Sequence, residues 1–143
     1  MVQVPIALAG AIALLAGIAC GGAQPVSPAD CRPTPATRQG SLLVMVADPP
    51  ESSIRAVLPG TATATAGRPY AVRLLADARK ASGQARFQSA RQGTSQVYQQ
   101  TIAGAVSGQL AEFQTTLVFP VAGCWDAEVS TGTAAGSMTF RVA

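Results

Sequence analysis

The chain contains no histidine, and this absence removes several classes of catalytic site. A Ser-His-Asp triad or a Cys-His pair needs an imidazole as its general base, so neither can be assembled here. The usual nitrogen ligand for zinc and copper is missing as well. The sequence also lacks the Gly-x-Ser-x-Gly and Ser-x-x-Lys motifs and any phosphate-binding glycine loop. We therefore expect a protein that is not an enzyme and that carries no cofactor or metal.

Charged side chains are scarce, at 12% of the chain, and the first of them along the sequence is Asp30. An uninterrupted apolar and small-residue segment runs from Val4 to Ala19 and ends at Cys20. A secretory signal needs an apolar core of ~7–15 residues followed by small residues. The sequence therefore predicts a signal or anchor helix over residues 1–19 and export of everything that follows.

The end of this segment, Gly17-Ile18-Ala19-Cys20, resembles the lipobox of bacterial lipoproteins. The resemblance implies cleavage before Cys20 and a lipid on its sulfur, which would anchor the protein to a membrane of the cell envelope. Two other interpretations remain open. The signal is cleaved without lipidation and the protein is secreted, or the segment stays as an anchor, since ~20 apolar residues can span a bilayer. All three predict an extracytoplasmic domain.

The chain has three cysteines, and an odd number in an exported protein leaves one thiol to be explained. Lipidation would account for Cys20, so that Cys31 and Cys124 remain as a pair. An exported chain meets oxidising conditions, so we predict a disulfide between these two residues. The alternatives are two free thiols, or a bond between Cys20 and Cys31 if no lipid is attached.

Proline and glycine are concentrated between the signal and the rest of the chain. Residues 20–40 contain four prolines and few large apolar side chains, which is typical of an extended spacer. We interpret this stretch as a lipid-anchored tether and residues 41–143 as a single domain. Such a tether would hold the domain away from the membrane surface.

From Ser41 onward, short apolar or alternating runs are separated by turn residues. Alternation is clearest in Tyr70 to Ala76, and no helical periodicity of comparable length competes with it. Seven or eight short strands with frequent turns predict an all-β fold, an antiparallel β-sandwich. Nine segments are candidates for these seven or eight strands: residues 42–47, 54–58, 61–65, 70–76, 84–89, 94–102, 113–119, 124–129 and 138–142.

The final hairpin carries a second resemblance. The run Phe119-Pro120-Val121-Ala122-Gly123-Cys124-Trp125, followed by alternation and a glycine-containing turn, resembles the end of small extracytoplasmic immunoglobulin-like domains of bacteria. The resemblance covers roughly residues 117–143 and implies an immunoglobulin-like sandwich in the cell envelope. It implies no activity, because a fold does not determine a function. We predict a binding or structural role with an envelope protein or polymer as partner.

A carboxylate-dependent or metal-binding envelope protein is the alternative function. Asp126 and Glu128 are expected on the same face of one strand, together with Cys124. Paired carboxylates can catalyse glycoside hydrolysis. Asp48 and Glu51 flank two prolines and could contribute to a calcium site. The commoner role of such residues is a solvated surface.

Two methionines are the remaining candidate ligands, because soft sulfur binds Cu(I). Met45 and Met138 lie in apolar strands, however, where core packing is the ordinary role. Trp125, the single tryptophan, is expected to anchor the core. Alternation gives its strand and the last strand one inward face each, and the residues expected there are Trp125, Ala127, Val129, Met138, Phe140 and Val142.

Arginine provides nine of the ten basic residues, and five arginines occur within one short stretch. They could form one basic face toward an anionic lipid or polymer, or lie dispersed on solvated sheet faces. Nucleic acid is not expected as a partner, because no basic cluster has interleaved aromatic residues. These arginines are Arg68, Arg73, Arg79, Arg86 and Arg91.

Overall fold

The computed structural model describes residues 22–143, which form two β-sheets packed face to face as a sandwich. One turn of 3-10 helix, Pro50–Ser52, is the only helical element in this part of the chain. The strands are β1 Ala36–Gln39, β2 Leu42–Val46, β3 Arg55–Leu58, β4 Thr63–Ala64, β5 Tyr70–Asp77, β6 Gln84–Arg91, β7 Val97–Ala103, β8 Ala105–Ser107, β9 Leu110–Leu117, β10 Gly123–Thr131 and β11 Ala134–Val142.

The first sheet has six strands in the order β1-β2-β3-β5-β9-β8, and the second has five in the order β4-β11-β10-β6-β7. All neighbours are antiparallel except β4, which runs parallel to β11. The chain crosses from β7 in the second sheet to β8 in the first at Gly104. A Cβ atom there would collide with the ring of Phe113, so only glycine allows this close crossing.

Alternation of side chains along the long strands builds the core between the sheets. On β10, Trp125, Ala127 and Val129 are buried, and Met138 and Phe140 face them from the paired strand β11, as the sequence predicts. Aromatic rings fill the centre of this layer, where successive ring centroids lie 5.5–6.2 Å apart. The linked rings are those of Phe87, Tyr98, Phe119, Trp125 and Phe140.

The sandwich is confirmed, but its strands differ from the expected set. Eleven strands are present among the described residues, and two of them, β1 and β8, were not predicted. Strand β1 lies within the predicted tether, residues 20–40, and it pairs with β2 over four residues. The predicted signal segment 1–19 and Cys20 lie outside the described residues.

No helix within residues 22–143 is both long and apolar enough to cross a membrane.

Trp125 should contribute more to stability than any surface residue, because its side chain is completely buried. Its indole Nε1 also donates to the carbonyl oxygen of Val121 at 3.1 Å. We expect Trp125→Ala to lower the free energy of unfolding by about 3–5 kcal/mol. Val106→Ala, at a side chain that is 61% exposed, should change it by less than about 0.5 kcal/mol. Urea unfolding measures both, and equal effects would contradict this packing.

The buried phenol of Tyr70 should make the free energy of unfolding fall at alkaline pH. Burial raises the pKa of its phenol from 10.0 to about 12, and the hydroxyl donates to the carbonyl oxygen of Thr61 at 2.6 Å. Because the neutral phenol is favoured in the folded state, its contribution is complete below pH 10. This contribution, about 2–3 kcal/mol of the free energy of unfolding, should be lost between pH 10 and about 12.

The matched variant is Tyr70→Phe, which removes the ionisable group and keeps the ring. Unfolding free energies of both proteins, measured from pH 8 to 12, should show a steeper alkaline decline for the wild type. Parallel pH profiles would contradict the assignment of this decline to Tyr70.

Candidate functional site

Cys31 and Cys124 form a disulfide, with their Cα atoms 5.1 Å apart, and this confirms the predicted pair. Both residues are buried, at 3% and 0% exposure. Alternation puts Cys124 on the outer face of β10 together with Asp126 and Glu128. An outer face is expected to be exposed to solvent, but Cys124 is buried. The segment around Cys31 covers it.

This covering segment, residues 26–34, is called the strap here. It crosses the outer face of the second sheet from the turn after β6 to the free side of β11. Val26 N–H donates to the carbonyl oxygen of Gln92 at 3.3 Å, and Arg141 Nη2 donates to that of Cys31 at 2.7 Å. The strap is therefore joined to β10 by one covalent bond, and to β11 and the turn after β6 by hydrogen bonds.

The far end of the strap completes the edge of β11. Thr34 N–H donates to the carbonyl oxygen of Thr139 at 3.0 Å, and Thr139 N–H donates to Thr34 Oγ1 at 2.8 Å. Further along the same edge, Asp48 and Ser137 exchange two backbone hydrogen bonds of 2.8 Å. The loop that carries Asp48 comes this close because Gly136 has no side chain; a Cβ there would lie 2.8 Å from that of Ala47.

A shallow polar groove of about 390 Å³ lies on the outer face of the second sheet. Its floor is formed by β6, β10 and β11, whose outward side chains stand next to one another because these strands pair in register. Two carboxylates and one guanidinium face it. Its polar lining residues are Asp48, Arg86, Gln88, Glu128, Ser130 and Ser137.

The charges of this polar groove are not neutralised by ion pairs within residues 22–143. Arg86 Nη2 donates to Gln88 Oε1 at 3.1 Å, and neither Glu128 nor Asp48 forms a salt bridge in this part of the chain. The groove therefore offers both an anionic and a cationic group to a polar ligand or to a partner's side chains.

The predicted carboxylate pair on β10 is divided between two roles. Asp126 accepts hydrogen bonds from Gln92 Nε2 at 2.8 and 2.9 Å and from Thr139 Oγ1 at 2.7 Å. It thus fastens the turn after β6 to β11, while Glu128 faces the polar groove. Asp48 also lines the groove, which brings it near Glu128 and not into a calcium site with Glu51. Within residues 22–143, no three Asp, Glu or Cys residues are grouped closely enough to hold a metal ion.

The sulfur and tryptophan candidates lie in the core. Met45 is 0% exposed and Met138 2%, and both belong to the continuous apolar cluster between the sheets. Trp125 is in the same cluster, as expected. Their contacts are those of packing residues.

The five arginines do not share one face. Arg73 lies on β5 of the first sheet, 3.7 Å from Glu112, whereas Arg86 and Arg91 lie on β6 of the second. Arg79 pairs with Asp77 in the turn after β5 at 2.8 Å. Its side-chain hydrogen bond holds the pKa of Asp77 down at about 2. Of the two arrangements expected for these arginines, one basic face or dispersal over the surface, the structure has the dispersed one.

The polar groove itself was not identified from the sequence. Alternation predicts that Arg86 and Glu128 point outward from their strands, but it does not say that β6 and β10 are neighbours. The position of Asp48 depends on a loop that leaves the first sheet and bonds to the second. Comparison with protein-family models, with curated proteins and with solved structures gives no match for this chain.

The disulfide should control both the stability of the domain and the order of the strap. Cys31→Ser/Cys124→Ser removes a link between residues 93 positions apart and should lower the free energy of unfolding by about 2–5 kcal/mol. Hydrogen exchange of the Val26 and Thr34 amides should accelerate more than that of β5. Free thiols on both cysteines before any reduction, seen by alkylation and mass spectrometry, would contradict the bond.

Proposed function

We propose that this protein is an exported, lipid-anchored immunoglobulin-like domain of the bacterial cell envelope, with a binding or structural role. The observation that carries the proposal is the buried disulfide that fastens the strap to the sheet. Disulfides persist in oxidising compartments, so the bond supports export. The apolar segment ending at Cys20 provides the route, and a lipid on Cys20 accounts for the remaining thiol.

The order of the strands supports the immunoglobulin-like part of the proposal. In constant-type immunoglobulin domains one sheet has the order A-B-E-D and the other C-F-G. The order β3-β5-β9-β8 corresponds to the first, and β6-β10-β11 corresponds to the second. The cysteines depart from the antibody pattern, because Cys124 on β10 pairs with the strap and not with a strand of the opposite sheet.

The strap also limits how far the domain can stand from a membrane. Val26 follows Cys20 by six residues, and its N–H is already bonded to Gln92. At ~3.3–3.6 Å per residue, a fully extended link reaches about 20 Å. A lipid on Cys20 would therefore hold the turn after β6 near the membrane surface. The spacer is much shorter than residues 20–40, because the strap belongs to the folded domain.

The outer face of the second sheet supports the proposed binding role. The polar groove has charges of both signs that form no salt bridge within residues 22–143. A partner with polar side chains could bind there through hydrogen bonds and ion pairs. We propose an envelope protein or polymer as that partner.

The anchor is tested by metabolic labelling of the expressing cells with a palmitate analogue. The full chain should incorporate the label and sediment with membranes, whereas Cys20→Ser should lose the label. Cys31→Ser/Cys124→Ser is the matched control and should keep it, because its lipid acceptor is intact. Undiminished label in Cys20→Ser would overturn the proposed lipid site.

A further inference from the structure

Strand β7 forms one edge of the second sheet, and its pairing with β6 shows which of its backbone groups are free. Arg91 N–H donates to the carbonyl oxygen of Gln96 at 3.0 Å, and Gly104 N–H donates to that of Gly83 at 2.9 Å. In an antiparallel pair, hydrogen-bonded and non-hydrogen-bonded residue pairs alternate. Every second residue of β7 therefore directs its N–H and C=O away from β6, namely Val97, Gln99, Thr101 and Ala103.

These outward groups form no backbone hydrogen bond with any other segment of the described chain. The side chains of the same residues are exposed, and that of Val97 is 57% accessible. Seven residues of open edge are long enough to template another strand. Natural proteins usually protect such an edge with charge, proline or a covering segment.

None of these protections is present on β7 within residues 22–143. The chain contains no charged residue and no proline from Gln92 to Ala111. The opposite edge of the same sheet, by contrast, is covered by β4, Thr34 and Asp48, which bond to β11. In the first sheet, the edge strand β8 has only three residues, and β1 has four, including Arg38.

We propose that β7 is a self-association edge, at which a second copy of this chain adds its own β7 in antiparallel orientation. A second copy fits because identical strands without charge meet without repulsion, although the whole chain carries a net charge of +3. A two-fold axis through Gln100 places Val97 opposite Ala103 of the other copy and Gln99 opposite Thr101. This register pairs all the free N–H and C=O groups, since the outward residues then oppose one another.

Charge substitutions test this register. Q99K/T101K places ammonium groups opposite each other at two symmetry-related points and should weaken association by about tenfold or more. Q99K/T101E has the same number of substitutions on the same exposed positions but brings opposite charges together. It should associate at least as well as the wild type. The readout is the molar mass of the purified, naturally processed protein by light scattering over a range of concentrations, with thermal unfolding to confirm folding.

A cysteine crosslink gives the second readout. Gln100→Cys should form an intermolecular disulfide, because residues directly opposite in a non-hydrogen-bonded pair have Cβ atoms about 4.5–5.5 Å apart. Val97→Cys should form no such disulfide, because the cysteine at position 97 of the second copy lies at the opposite end of the paired strands. A dimer that responds to charge in this way supports the proposal. A wild-type protein that is monomeric at every concentration would overturn it, as would equal dimer mass for Q99K/T101K and Q99K/T101E.

Discussion

The disulfide between Cys31 and Cys124 holds the strap on the second sheet, and the placement of the neighbouring features follows from that contact. With the strap in place, Thr34 reaches the edge of β11 and continues that edge between β4 and Asp48. Cys124 is buried on what would otherwise be an open face. Without the covalent bond, the strap would rely on a few hydrogen bonds, each contributing about 1 kcal/mol.

The two edges of the second sheet are unequal, and this links the two proposals. Within residues 22–143, one edge of this sheet is covered by β4, Thr34 and Asp48, and β7 is its open edge. A two-fold pair at β7 places the turns after β6 at opposite ends of the joined sheet. If both copies are anchored through Cys20 to one membrane, their strands must run along its surface. If the strands stand upright, the pair joins two membranes.

Some of this arrangement could be predicted from the sequence. Alternation identified the inward faces of β5, β10 and β11, and the cysteine count identified the disulfide. Strand β1 was missed because Ala36–Gln39 has no apolar alternation; its formation depends on the backbone of β2. The polar groove was missed because it combines residues from strands that are distant in sequence. Periodicity gives the face on which Cys124 lies, but it does not say that another segment covers that face.

The intact mass of the protein extracted from membranes of the expressing cells tests the lipid-anchored, disulfide-fastened arrangement most directly. We expect a chain that begins at Cys20, carries a lipid adduct on that residue, and has the mass of one disulfide with no alkylatable thiol. A chain that retains Met1 or begins beyond Cys20, without lipid, would contradict the anchor. Free thiols at both Cys31 and Cys124 would contradict the fastened strap.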